Sequence, residues 1–113
     1  MIMGVDVMLM RVERRGSSPK RRKLTPVAVA PDPDDAFVRL VDRIRGRGGH
    51  PMLERVDPYG SLILTSAEMP QFLDELARLP RTAPEDARMA EKLKDLAEQC
   101  AADPALELHL DGD

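Results

Sequence analysis

The sequence predicts an α+β domain, a four-stranded antiparallel sheet with helices packed on one face. Three observations carry that prediction. The last segment alternates Leu106, Leu108 and Leu110 with Glu107, His109 and Asp111, the period of a half-buried strand. Three other stretches repeat their apolar residues at helical spacing, around Phe37–Ile44, Met69–Leu79 and Met89–Cys100. Finally, the N-terminal GVDVMLMRV run is apolar on both faces of a strand, a pattern that normally needs cover on both sides.

Taken in order, Gly4–Val12 reads as a central strand. Val5, Val7 and Leu9 point to one face, and Asp6, Met8, Met10 and Val12 to the other. A basic stretch follows, in which Arg14, Arg15, Lys20, Arg21, Arg22 and Lys23 surround Gly16-Ser17-Ser18-Pro19 and predict a flexible loop at 14–23. Leu24–Ala30 reads as extended coil or as an extra edge strand at 24–30, since Pro26 and Pro31 limit its pairing. The first helix opens on Asp32 as N-cap with Pro33 in the first turn and two further acids at its positive end. Its stripe is Phe37, Leu40, Val41 and Ile44, and Gly46, Gly48 and Gly49 close it.

The stretch from Pro51 to Leu79 then reads as strand, turn, strand and capped helix. Asp57-Pro58-Tyr59-Gly60 has the residues of a type I turn, and the flanking runs Met52–Val56 and Ser61–Thr65 suit the strands of a hairpin. Thr65 and Glu68 form a capping-box pattern, with Pro70 tolerated in the first turn of the helix that carries Met69, Phe72, Leu73, Leu76 and Leu79. A second capping pattern, Thr82-Ala83-Pro84-Glu85, precedes the third helix, whose inner face is Met89, Leu93, Leu96 and Cys100 beside Ala90 and Ala97. Asp103-Pro104 ends it.

The expected order is therefore β-α-β-β-α-α-β. With the last two helices taken as one layer, this resembles the split βαβ arrangement of ferredoxin-like domains, with a basic insertion and a second helix as departures. In such an arrangement Leu62, Leu64, the C-terminal leucines and Val5, Val7 and Leu9 face the helices, and the other sheet face is open.

At 113 residues one domain is expected. Hydrophobic residues are 42% and charged residues 33%, the balance of a soluble globular chain. Aromatics are only 3%, which argues against a stacking platform for single-stranded nucleic acid. A single cysteine excludes an internal disulfide and a cysteine-built zinc site, and no signal peptide or membrane span is readable, so a cytoplasmic protein is expected. Lys and Arg number 17 against 20 Asp and Glu. Six of the basic residues and none of the acidic ones fall within 14–23, so a basic loop is set on an acidic body.

Function is less constrained. The open face would carry Met8, Met10, Val12 and Ile63 beside Asp6, Glu107 and His109, and an apolar patch there reads as an interface. Methionine suits such a surface because its side chain is flexible and polarizable. The leading expectation is a small non-enzymatic interaction protein that binds through Met8, Met10, Val12, Ile63 and His109. Its partner would be a second copy or one other protein, and the acidic body suits a basic partner, as in small inhibitory or immunity-type proteins that neutralise a toxic enzyme. One alternative is a nucleic-acid-associated module, in which Arg14, Arg15, Lys20, Arg21, Arg22 and Lys23 contact phosphates and release counterions. Another is a small-ligand or enzymatic site lined by His109 and Asp6, where Glu107 or Asp111 could hold the imidazole as a general base.

Cys100 on an apolar stripe reads as buried and inert. His50 and His109 have no metal-ligand spacing, and Tyr59 reads as an exposed turn residue. Phosphate loops, nucleophile elbows and zinc-peptidase helices are missing from the sequence, so no catalytic residue, metal or cofactor is assigned.

Overall fold

The structure is a computed structural model that describes residues 4–14, 22–32, 35–81 and 83–112. Its elements are β1 (Asp6–Arg14), β2 (Arg22–Ala30), α1 (Ala36–Ile44), a 3₁₀ turn (Leu53–Arg55), β3 (Ser61–Thr65), a second 3₁₀ turn (Ser66–Glu68), α2 (Met69–Ala77), α3 (Pro84–Ala102) and β4 (Leu106–Asp111). The sheet has four strands in the order β2-β1-β4-β3, and each neighbouring pair is antiparallel.

Alternation along the strands divides the sheet into a sealed and an open face. Val5, Val7, Leu9, Leu64, Leu108 and Leu110 have no exposed surface and pack in one cluster with the helices. From α1 come Phe37, Leu40, Val41 and Ile44, from α2 Met69, Phe72 and Leu76, and from α3 Met89, Leu93, Leu96 and Cys100. Aliphatic and Met side chains thus fill a core that has two phenylalanines as its largest members.

Buried carboxylates tie loops to this core. Asp32, 3% exposed, accepts the Phe37 N–H at 3.1 Å and the Val38 N–H at 3.4 Å, so it caps α1 from a distance. It also accepts the Val5 N–H at 3.3 Å, and its own N–H donates to Asp6 Oδ1 at 3.1 Å. The chain entering β1 is thereby fastened to the chain leaving β2. A side chain at Gly4 would put its first carbon 2.5 Å from the Asp32 carbonyl oxygen, so that approach requires glycine. Arg43 donates to Asp86 at 2.9 Å and joins α1 to α3, while Asp86 also accepts the Ala83 N–H.

Several expectations are corrected. Met52–Val56 is not a strand. Glu75 of α2 is 1% exposed, and its carboxylate accepts the N–H groups of Met52 at 3.0 Å and Leu53 at 2.9 Å. On the other side Arg45 donates to the carbonyls of Glu54 and Val56 at 3.1 and 3.2 Å. Backbone groups that a strand would offer to a neighbour are already engaged, and Leu53 and Val56 bury themselves at 3₁₀ spacing. The Asp57–Gly60 turn forms, closed by a 3.2 Å Gly60 N–H bond to the Asp57 carbonyl, but it leads from the 3₁₀ turn into β3.

Of the two readings of 24–30, the edge strand is the one present, within a nine-residue strand that pairs with β1 from Val7↔Ala30 to Arg14↔Arg22. Its proline is accommodated because β2 is an edge strand and the register shifts beside Pro26, leaving Val27 as the extra residue of a bulge. The observed order is therefore β-β-α-β-α-α-β, with a β1–β2 hairpin in place of the ferredoxin-like β-α-β start.

Helix starts also shift. The helix α1 begins at Ala36, preceded by Asp35 in a left-handed conformation at φ 55°. Pro33, expected in its first turn, lies outside the described residues. Thr82, expected to cap α3, lies outside them too, and the carboxylate that reaches back to the helix start is Asp86, not Glu85. At α2 the expected pair is present. The Thr65 N–H and hydroxyl both donate to Glu68, at 2.9 and 3.1 Å.

Candidate interaction surface

Strand register assembles the open face row by row. One row is Val29, Met8, His109 and Ile63, and the next is Pro26, Met10, Glu107 and Thr65. Val12 faces Leu24 beyond them, while Asp6, Asp111 and Ser61 close the opposite end. Strand alternation places all of these on the side away from the helices.

Exposure follows position. Val29 is 60% exposed, Ile63 47%, Val27 46% and Leu24 41%, while Met8, Met10 and Val12 are half-buried by their neighbours. The expected residues Met8, Met10, Val12, Ile63 and His109 thus share one surface. Leu24, Val27 and Val29 extend it and were not read from the sequence. Their signal was the outward spacing of Leu24 and Val29 against inward Ala28 and Ala30, obscured by Pro26 and the bulge.

His109 is 7% exposed although it belongs to this face, because it lies between Met8 and Ile63 in its row. Its Nε2 is 3.2 Å from Glu107 Oε1, an imidazole–carboxylate pair embedded in apolar surface. Asp6, the other residue expected of a small-ligand site, sits one row away, where its carboxylate accepts the Asp32 N–H. That bond gives Asp6 a structural partner.

The basic loop is largely outside this description. Arg15, Lys20 and Arg21 lie outside the described residues, Arg14 and Arg22 pair at the last rung of the hairpin, and Lys23 is exposed. At the other end of the sheet, Asp57 and Tyr59 are exposed in the turn before β3, with Tyr59 at 68%.

Other reactive groups are set apart from this face. Cys100 is buried beneath α3, its thiol donating to the Leu106 carbonyl at 3.6 Å. Burial, and then the charges of Glu107 and Asp103, push the thiol up to about 11, so it is not a nucleophile near neutral pH. His50 is buried, and neither ring nitrogen has a hydrogen-bond partner. Between α2 and α3 lies a cavity of about 240 Å³ lined by Leu73 and Leu76 with Arg81, Lys94, Glu91 and Glu98. Among the described residues no three His, Cys, Asp or Glu side chains converge as metal ligands, and no helix is long and apolar enough to cross a membrane.

Comparison of the chain with protein-family models, curated proteins and solved structures finds no match.

Proposed function

We propose that this is a small non-enzymatic interaction protein whose open sheet face docks on another protein chain. The supporting observation is the contiguity of Val29, Met8, Met10, Val12, Leu24 and Ile63 on one face of a sheet whose other face is sealed. Large apolar side chains left 41–60% exposed in one patch gain free energy when another surface excludes water from them. The β2 edge of the sheet is less suited to pairing. In β2, Pro26 lacks a donor and the bulge at Val27 interrupts the ladder, two features that discourage strand addition.

The test is the native size of the protein, purified and in the lysate of its own cells, for wild type and Val29→Lys/Ile63→Lys. Both positions are exposed, so the double variant should fold and melt like wild type. Wild type is expected above its 12.6 kDa chain mass, and the variant at that mass. A wild-type chain at monomer size in both settings, or a variant that keeps the wild-type size, sinks the reading.

A further inference from the structure

We propose that Met8, Met10 and His109 form a binding site for a soft monovalent metal ion of the copper(I) class. The site uses residues of the open face but does not depend on what docks there.

The first observation is where the methionines stand. Met52, Met69 and Met89 are at most 5% exposed and belong to the core. Met8 and Met10 are the other two among the described residues, and both are half-buried on the open face. Their thioethers are therefore neither sealed in the core nor fully in water.

Register brings an imidazole to these two thioethers. Met8 stands directly opposite His109 and Met10 opposite Glu107, so the four residues form a two-by-two block on one face. Across an antiparallel pair Cα atoms are about 4.5–5.5 Å apart, and along a strand one face recurs every ~6.8 Å. Each methionine has three rotatable bonds, enough for its sulfur to reach over the centre of such a block.

His109 supplies the observation that packing alone does not explain. It is 7% exposed in an apolar row, and its Nε2 lies 3.2 Å from Glu107 Oε1. An ionised carboxylate only accepts, so Nε2 carries the proton and Nδ1 keeps its lone pair. Nδ1 has no hydrogen-bond partner among the described residues. A carboxylate that holds one ring nitrogen and leaves the other open is how a metal-ligating histidine is oriented.

The donor set decides the ion. Two thioethers and one imidazole are neutral, and thioethers are soft, so the set favours copper(I) over magnesium, calcium or manganese, which seek oxygen. No Lys or Arg stands in these two rows, whose flanks are Val29 and Pro26 on β2 and Ile63 and Thr65 on β3. Glu107 puts a negative charge beside the imidazole, and Asp6 and Asp111 lie one row further, so the local charge favours a cation. Cys100, the single cysteine, is buried behind β4 with its thiol pushed up to about 11, so it does not compete in the native fold.

The experiment is a titration of the full chain, isotope-labelled at its methionine methyl groups, with silver(I) nitrate as a redox-inert probe read by NMR. The methyl signals of Met8 and Met10, assigned through Met8→Leu and Met10→Leu, should move with the His109 ring signals and saturate at one equivalent. Those of Met52, Met69 and Met89 should stay in place. Competition with a chromophoric copper(I) chelator under reducing, oxygen-free conditions then gives the affinity. Glu107→Gln should lower it about tenfold. Met8→Leu/Met10→Leu conserves volume and apolar character, so it should melt close to wild type while losing more copper(I) affinity than Glu107→Gln.

Met8 and Met10 signals that stay fixed in a several-fold excess of silver(I) overturn the site, and this wild-type result holds whether or not a variant folds. Copper(I) binding unchanged in Met8→Leu/Met10→Leu, or lost with Cys100→Ala, overturns it as well. Shifts at both methionines without His109 overturn the three-donor set. The size of the native complex with Val29→Lys/Ile63→Lys bears on docking alone, so failure of either reading is told apart from failure of the other.

Discussion

The two faces of one sheet are made by the same strands, often by adjacent residues, yet they have opposite fates. Leu9, Leu108 and Leu64 have no exposed surface, while Ile63, one residue before Leu64, keeps 47% and Val29, beside the buried Ala30, keeps 60%. Intrinsic strand preference does not distinguish these positions, since Val and Ile are among the best strand formers and stand on the open side. What separates them is the layer of helices. Three amphipathic helices seal one face, and among the described residues no element covers the other. The difference teaches that outward apolar residues here add little to folding and are free to contribute to association.

The sharpest way to break this comparison is to truncate one residue on each face. Leu108→Ala should destabilise the protein by about 2–5 kcal/mol, the cost of lost transfer free energy plus a cavity. Ile63→Ala should cost under about 0.5 kcal/mol in dilute solution, as exposed substitutions usually do. Urea unfolding of both variants decides it. Equal losses would mean that the open face is covered within the monomer.

Carboxylates give a second contrast. Glu75 is enclosed on the sealed side and accepts two backbone N–H groups and, at 2.8 Å, the Gln71 amide. Glu75→Ala leaves the buried donors of Met52 and Leu53 without acceptors, an expected loss of about 1–3 kcal/mol. Glu107→Ala, on the open face, should cost less. Hydrogen exchange should show the Glu75 effect first at residues 50–56, and protection there equal to wild type would contradict the role given to Glu75.

The smallest expected effect concerns Cys100, directly behind β4. A thiol reagent at mildly alkaline pH should modify it only as the protein unfolds, and rapid native labelling would show the sealed face to be open. Its raised pKa also has a sign. In the unfolded chain the thiol ionises near its ordinary 9.0, whereas in the fold it stays protonated until about 11. Native stability should therefore decline as pH rises across that interval, and Cys100→Ala should remove this part of the decline.

Much of the fold was legible in local pattern. Helix positions such as Leu40, Leu76 and Leu93 announce their burial by spacing alone, and the leucines of β4 by alternation. The Met8–Met10–Ile63 surface followed from the same alternation, since whatever faces away from the leucines must face away from the helices. The sites that escaped were those where a distant residue decides. Leu24–Ala30 has the composition of a strand but contains Pro26, and only its place at the sheet edge, with a bulge, makes the proline tolerable. Met52–Val56 reads as a strand and has no proline, yet Glu75 and Arg45 engage its backbone and it forms a 3₁₀ segment.

By itself, then, the sequence determined an α+β domain with amphipathic helices, an alternating last strand and an apolar second face. These follow from the periods of helix and strand, which are properties of neighbouring residues. Tertiary structure alone decided which extended segments pair, that β1 and β2 form a hairpin, and that Met52–Val56 does not join the sheet. Those features depend on which distant donor reaches which acceptor first, and no local period records that competition.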